Sequence, residues 1–202
     1  MLPLDDSLLQ RFGALEPPPY GRRQRALLRP GGGPVSEDAI PSLISGFVLE
    51  AHVDVPAHGV EGVICALGDW NNGWACYLLD GRPVVAFSVF GYHHRIAATT
   101  ALTSGPRVVR VEYQRVAPAG GRLTVQVDGA LVADGSLTMD LPFRWQIGGA
   151  GLLVGRDRGF PVCDDYDPPF PCTAPIRQLI LEAGSNPPRD AAREVTTALR
   201  HE

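Results

Sequence analysis

The sequence contains no lysine; all eighteen of its basic residues are arginines. We read that as a coding bias rather than as chemistry. Several other absences exclude function classes. No apolar run reaches the roughly 20 residues of a membrane-spanning helix. The N-terminus, Met1-Leu-Pro-Leu-Asp-Asp6, has neither the basic nor the apolar region of a signal peptide. The location expected on that ground is the cytoplasm, with reduced cysteines. A net charge of -4 and the lack of a basic stripe argue against a nucleic-acid partner. No Cys-x-x-Cys or His-x-x-x-His spacing supplies a zinc site. No Ser-His-Asp order suggests a triad. Gly31-Gly-Gly33 lies between prolines and reads as a linker, because no helix follows it to cradle a phosphate. No cofactor is implied.

Turn residues and short apolar runs are abundant: Gly 23 and Pro 19 in 202 residues. The most informative stretch is Gly62 to Arg82. Two runs of strand-forming residues meet at Trp70-Asn71-Asn72-Gly73, and a third begins after Asp80-Gly81. Asn-Gly and Asp-Gly favour the positive φ angles of tight hairpins, so a meander of antiparallel strands is predicted. Upstream, Phe47, Leu49, Ala51, Val53 and Val55 alternate onto one face. Further strands are predicted at 62–69, 73–79, 82–90, 92–100, 107–116, 122–128, 130–136, 143–148, 151–156 and 176–182. Asp128-Gly129 marks another hairpin. Strands at this spacing without long helices between them indicate an all-β, two-sheet antiparallel sandwich, with a closed barrel as the alternative.

Three regions follow. Residues 1–45 read as an irregular arm, interrupted by Pro17-Pro-Pro19 and Pro30-Gly-Gly-Gly-Pro34. Residues 46–183 form the sandwich. Residues 184–202 read as a short C-terminal helix capped by Ser185 or Asn186. A turn centred on Asn71-Asn72 would set Cys65 opposite Leu78 and Cys76 opposite Leu67, leaving the two thiols as unbridged diagonal neighbours. Cys163 and Cys172 flank a proline-rich loop and would bridge it only in an oxidising compartment.

A series of landmarks runs through the chain in order: Leu2-Pro-Leu-Asp-Asp6, Glu61-Gly-Val63, Gly73-Trp74, Tyr77, Asp80-Gly81, Val127-Asp-Gly129, Val154-Gly-Arg-Asp157 and Tyr166-Asp-Pro-Pro-Phe170. Their order and spacing resemble the β-sandwich at the C-terminus of bacterial arylsulfatases. The resemblance implies a jelly roll of the concanavalin A and laminin G type. It also implies an accessory role, in a truncated or split sulfatase product, beside a sulfatase catalytic domain or chain. The family's nucleophile lies in a Cys-x-Pro-x-Arg motif. Cys172-Thr-Ala-Pro-Ile-Arg177 has one residue too many, so no catalytic residue carries over.

Two constellations are candidates for binding. Trp70, Trp74, Tyr92 and Trp145 can offer flat apolar faces to sugar rings. Asp69, Asn71 and Asn72 would supply hydrogen bonds beside Trp70. This makes a stand-alone lectin-like module the alternative to the sulfatase accessory reading. Asp157, Asp164, Asp165 and Asp167 offer hard oxygens for calcium. The same carboxylates raise the weaker idea of glycoside hydrolysis, although nothing shows a pair facing across a cleft. His93 and His94 are adjacent in a strand and point to opposite faces, so they do not chelate one metal together.

Overall fold

A computed structural model describes residues 23–116, 119–142, 144–145 and 151–184. Its strands are β1 (Arg25–Leu28), β2 (Gly46–Val55), β3 (Gly62–Gly68), β4 (Gly73–Leu79), β5 (Arg82–Val89), β6 (Tyr92–Ala97), β7 (Gly105–Arg115), β8 (Gly121–Val127), β9 (Ala130–Leu137), β10 (Leu153–Val154) and β11 (Ile176–Ala183). One sheet has the order β1-β11-β2-β7-β8-β9 and the other β10-β3-β4-β5-β6. All neighbouring strands are antiparallel. The sheets are open and stack face to face as a jelly-roll sandwich, not a closed barrel.

The two sheets carry different sequence patterns for a physical reason. In the six-stranded sheet only one face is covered. Phe47, Leu49, Ala51, Val53 and Val55 of β2 point inward with Val109, Val111 and Tyr113 of β7 and Leu179 and Leu181 of β11. Glu50, His52, Arg110 and Glu112 alternate with them on the outer face, so the strands read as apolar-polar repeats. The central strands of the five-stranded sheet are buried on both faces. Cys65, Leu67, Trp74, Cys76, Leu78, Val85 and Phe87 belong to the inter-sheet core. Val63, Ala66, Ala75, Tyr77, Val84 and Ala86 form a second cluster with Val162 and Tyr166 from the loop that follows β10. Strands buried on two faces need no alternation, and β3 to β5 are accordingly almost continuously apolar.

Three expectations are corrected. The arm of residues 1–45 is not irregular throughout. Arg25–Leu28 form β1, pairing with Leu179–Glu182 of β11 and burying Ala26 and Leu28. An unpaired sheet edge offers backbone partners to even a four-residue segment of the right alternation. Further on, Ser36 caps a 3-10 turn at Glu37–Ala39. The β3–β4 register is also different: Cys65 lies directly opposite Cys76, because the loop spans Asp69–Asn72 and the pairing runs unbroken from Gly68↔Gly73. Both thiols are free and buried. Burial pushes the Cys65 thiol well up and Cys76 up to about 12. Finally, the strand expected over 151–156 shortens to Leu153–Val154, where Gly155 turns away at φ 84°. Strand 143–148 falls largely outside the described residues, as do the C-terminal helix and the first 22 residues. Among the described residues, no helix is long and apolar enough to cross a membrane.

Candidate functional site

Five hairpins turn the chain between β3 and β9, and three of them use two-residue loops. Asp80-Gly81 and Asp128-Gly129 have φ angles of 50° and 74°, and of 51° and 83°. These are the turn residues that chemistry favours, since aspartate and glycine tolerate positive φ. The β5–β6 loop has the same backbone, with φ 51° and 78°, but its first residue is Phe90. A phenylalanine in the left-handed region is a backbone outlier with a cost of order 1 kcal/mol, and such outliers cluster at functional positions. The Phe90 residue is 68% exposed, so little of its ring is buried against the sheet.

The neighbouring β3–β4 loop is folded against it. Asp69 Oδ1 accepts the backbone N–H groups of Asn71 at 2.8 Å and Asn72 at 3.2 Å, and Asp69 N–H donates to Asn72 O at 3.1 Å. That carboxylate closes a four-residue loop where a two-residue Asn-Asn turn was expected. Gly68 enters the loop at φ 86°. Three bonds then tie the two hairpin tips together. Phe90 N–H donates to Asn72 Oδ1 at 2.9 Å, Gly91 N–H to Asn71 O at 2.8 Å, and Ser88 Oγ–H to Trp70 O. Trp70 and Tyr92 are 54% and 65% exposed at this same end of the sheet. The result is a preorganised tip carrying three solvent-facing aromatic residues. The Asn71 carboxamide has no partner among the described residues.

Of the aromatic residues singled out from sequence, Trp70 and Tyr92 stand at this tip with Asn71 and Asn72. Trp74 and Trp145 do not. Trp74 is buried against Phe47 (ring centroids 6.0 Å), and Trp145 against Phe87 (6.1 Å). Phe90 was missed, although a signal was present: Phe-Gly stands where the other two-residue hairpins have Asp-Gly.

The four aspartates separate into different roles. Asp157 is buried, accepts Tyr166 O–H at 2.6 Å and Arg158 N–H at 2.7 Å, and has its carboxyl pushed up by burial. Asp165 accepts Tyr77 O–H and the Arg95 Nε–H at 2.5 Å. Burial alone would raise it, but those partners hold it below the ordinary carboxylate value. Asp164 and Asp167 are exposed. No group of three or more His, Cys, Asp or Glu side chains among the described residues is placed to hold a metal. Asp157 and Asp165 instead fasten the loop after β10 over the outer face of the five-stranded sheet. Tyr166 of that loop packs on Tyr77 of the sheet, with ring centroids 5.1 Å apart and the rings tilted by 58°. The Cys163 and Cys172 thiols are free and are raised by burial, so neither is poised as a nucleophile.

His93 is exposed opposite Ser88, and His94 faces Phe87 on the other side of β6. His52 Nε2 is bonded to Glu50 Oε1 at 2.8 Å on the six-stranded sheet. Arg110 bridges Glu50 at 3.6 Å and Glu112 at 3.3 Å there. These groups satisfy one another across the strands.

The fold and the tip define a two-sheet jelly roll with an aromatic edge. Solved structures agree on the fold. The chain is similar to the CBM40 carbohydrate-binding module of the Ruminococcus gnavus IT-sialidase, a structure with bound α2,3-sialyllactose. The TM-score is 0.52 at 9% identity, covering 79% of this chain and 90% of that one. It is similar to part of the NanB sialidase of Streptococcus pneumoniae, with a TM-score of 0.56 at 12% identity over 86% of this chain. It also resembles part of the leech intramolecular trans-sialidase, with a TM-score of 0.51 at 13% identity over 87%. The chain spans almost the whole of the first but only 27% of each of the two enzymes. No protein-family model and no curated protein matches the sequence.

Proposed function

We propose that this chain is a non-catalytic carbohydrate-binding module and that its ligand stacks on the aromatic tip. The observation that carries the reading is the pair of hairpins bonded tip to tip with Trp70, Phe90 and Tyr92 facing solvent. Large aromatic rings offer rigid contact area to the C–H faces of pyranose sugars, and an unpaired carboxamide at Asn71 can meet their hydroxyl groups. Preorganisation lowers the ordering cost of binding. A fold shared with a module that carries a bound oligosaccharide supports the reading further. Trp70→Ala removes exposed area without touching the core, so it should leave the fold intact. Glycan binding measured by titration calorimetry should weaken at least tenfold in Trp70→Ala. Unchanged affinity in that variant would reject the tip as the site.

The sulfatase-like landmarks support a companion proposal about context, in which the module accompanies a hydrolase chain as an accessory. Co-purification with a sulfatase chain would test it.

A further inference from the structure

We infer that the aromatic tip is selective for neutral glycans, sugars without a carboxylate or sulfate at the contacted residue. The inference rests on the carbohydrate-binding reading and narrows it. It also departs from what fold similarity alone would suggest, since the module compared above carries a sialylated sugar.

Recognition of a sugar carboxylate or sulfate calls for a guanidinium or ammonium group in reach of the anion, preferably in bidentate geometry. The two tips, residues 68–73 and 88–92, contain no lysine or arginine, and their one charged residue is Asp69. That carboxylate stays at the loop base by accepting the Asn71 and Asn72 N–H groups, and it opposes a second anion nearby.

The arginines closest along the chain are Arg95 and Arg82, and Arg82 lies at the far end of β5 from the tips, opposite Leu79. Arg95, opposite Ala86 in β6, donates to Asp165 at 2.5 Å. Arg144, on the segment that seats Trp145 behind Phe87, reaches Asp38 at 2.5 Å. Breaking the Arg95 pair to bind a ligand would leave the partly buried Asp165 carboxylate without its cation. What the tip does present, three aromatic residues and a free carboxamide, suits an uncharged ring with an apolar face and hydroxyl edges.

A competing place for an anion exists elsewhere. Arg156 has no carboxylate partner among the described residues, and it lines a cleft of about 280 Å³ with Pro30, Val154, Pro171, Cys172 and Ile176. The experiment separates the two places. Wild type, Trp70→Ala, Phe90→Asn and Arg156→Ala are titrated with lactose, cellotetraose, 3′-sialyllactose and a sulfated galactan oligosaccharide. Circular dichroism and thermal melts verify that each variant is folded.

The expected result is binding of a neutral sugar, weakened at least tenfold by Trp70→Ala and by Phe90→Asn and unaffected by Arg156→Ala. The anionic sugars should bind no tighter than the neutral ones. A tenfold preference for sialylated or sulfated sugar overturns the inference while leaving carbohydrate binding standing. So does anionic-sugar binding lost in Arg156→Ala but kept in Trp70→Ala. Silence across all four sugars, or a Trp70-dependent fluorescence shift on neutral phosphatidylcholine vesicles without sugar binding, overturns both the inference and the function it rests on.

Discussion

Phe90 is in conflict with its own backbone. The hairpin at Asp80-Gly81 shows what the same turn takes when only conformation matters, and asparagine or aspartate there relieves the strain of positive φ. Replacing Phe90 by Asn should therefore raise stability by about 0.5–1 kcal/mol, read by urea denaturation, while glycan affinity falls. A loss of stability instead would mean the ring has a packing role that its exposure hides. Asp165 is the other residue whose environment has a measurable consequence. Its native carboxyl is held below the ordinary value, so the stability it contributes is present above the usual carboxylate range. That contribution is lost as pH falls through the lowered native value. Asp157 is shifted the opposite way, and its protonation on acidification favours the fold, offsetting part of the loss. Arg95 is substantially exposed, which screens the pair. Asp165→Asn should therefore cost only about 1–2 kcal/mol at neutral pH. The gap from wild type should close only as pH falls below the ordinary carboxylate range. A gap that stays constant with pH would show that the charge of Asp165 contributes nothing.

At the scale of elements, the β3–β4 hairpin links stability to the site. A Cβ on Gly68 would lie 2.1 Å from the carbonyl oxygen of Asn72, in a backbone already at φ 86°. Backbone cannot step aside as a flexible side chain can, so Gly68→Ala must reshape the loop that positions Trp70 and Asn71. We expect a loss of about 1–3 kcal/mol and a parallel loss of glycan binding. Full affinity in a folded Gly68→Ala protein would show that the loop's conformation does not matter to the site. This hairpin also shows what could be read from sequence and what could not. The two strands, their turn and the face each cysteine occupies follow from apolar runs and a Gly-Asp-Trp-Asn-Asn-Gly break. The register does not, because an Asn-Asn turn and an aspartate-closed loop are both sound turn chemistry. The choice between them shifts the pairing by two residues and sets Cys65 opposite Cys76. Buried and raised, these thiols should resist an aqueous thiol reagent until the protein unfolds.

For the molecule as a whole, the decisive long-range feature is the closing of the six-stranded sheet by the two ends of the described chain. β11 lies between β2 and β1, so removing residues 1–28 would bare the β11 edge and uncover its contacts with Ala26 and Leu28. Burial of those side chains is worth about 2–3 kcal/mol, and an open edge strand invites pairing between molecules. The truncated protein should melt earlier and form larger species in light scattering. Unaltered melting and a clean monomer would show β1 to be dispensable.

The sequence by itself determined the fold class, most strand positions and two of the tight turns, because alternation, apolar runs and Asp-Gly pairs are local physics. It also named four of the tip residues: Trp70, Asn71, Asn72 and Tyr92. Only the tertiary structure decided which aromatic residues face solvent, since Trp74 and Trp145 carry the same local signals as Trp70 and differ only in what packs on them. It alone separated the aspartates, turning a stretch that reads as a cation loop into a strap fastened to Tyr77, Arg95 and Tyr166. It alone joined Phe90 to the site, through hydrogen bonds between two hairpins eighteen residues apart. Proximity across a sheet depends on register and burial, and both are set by the whole chain at once.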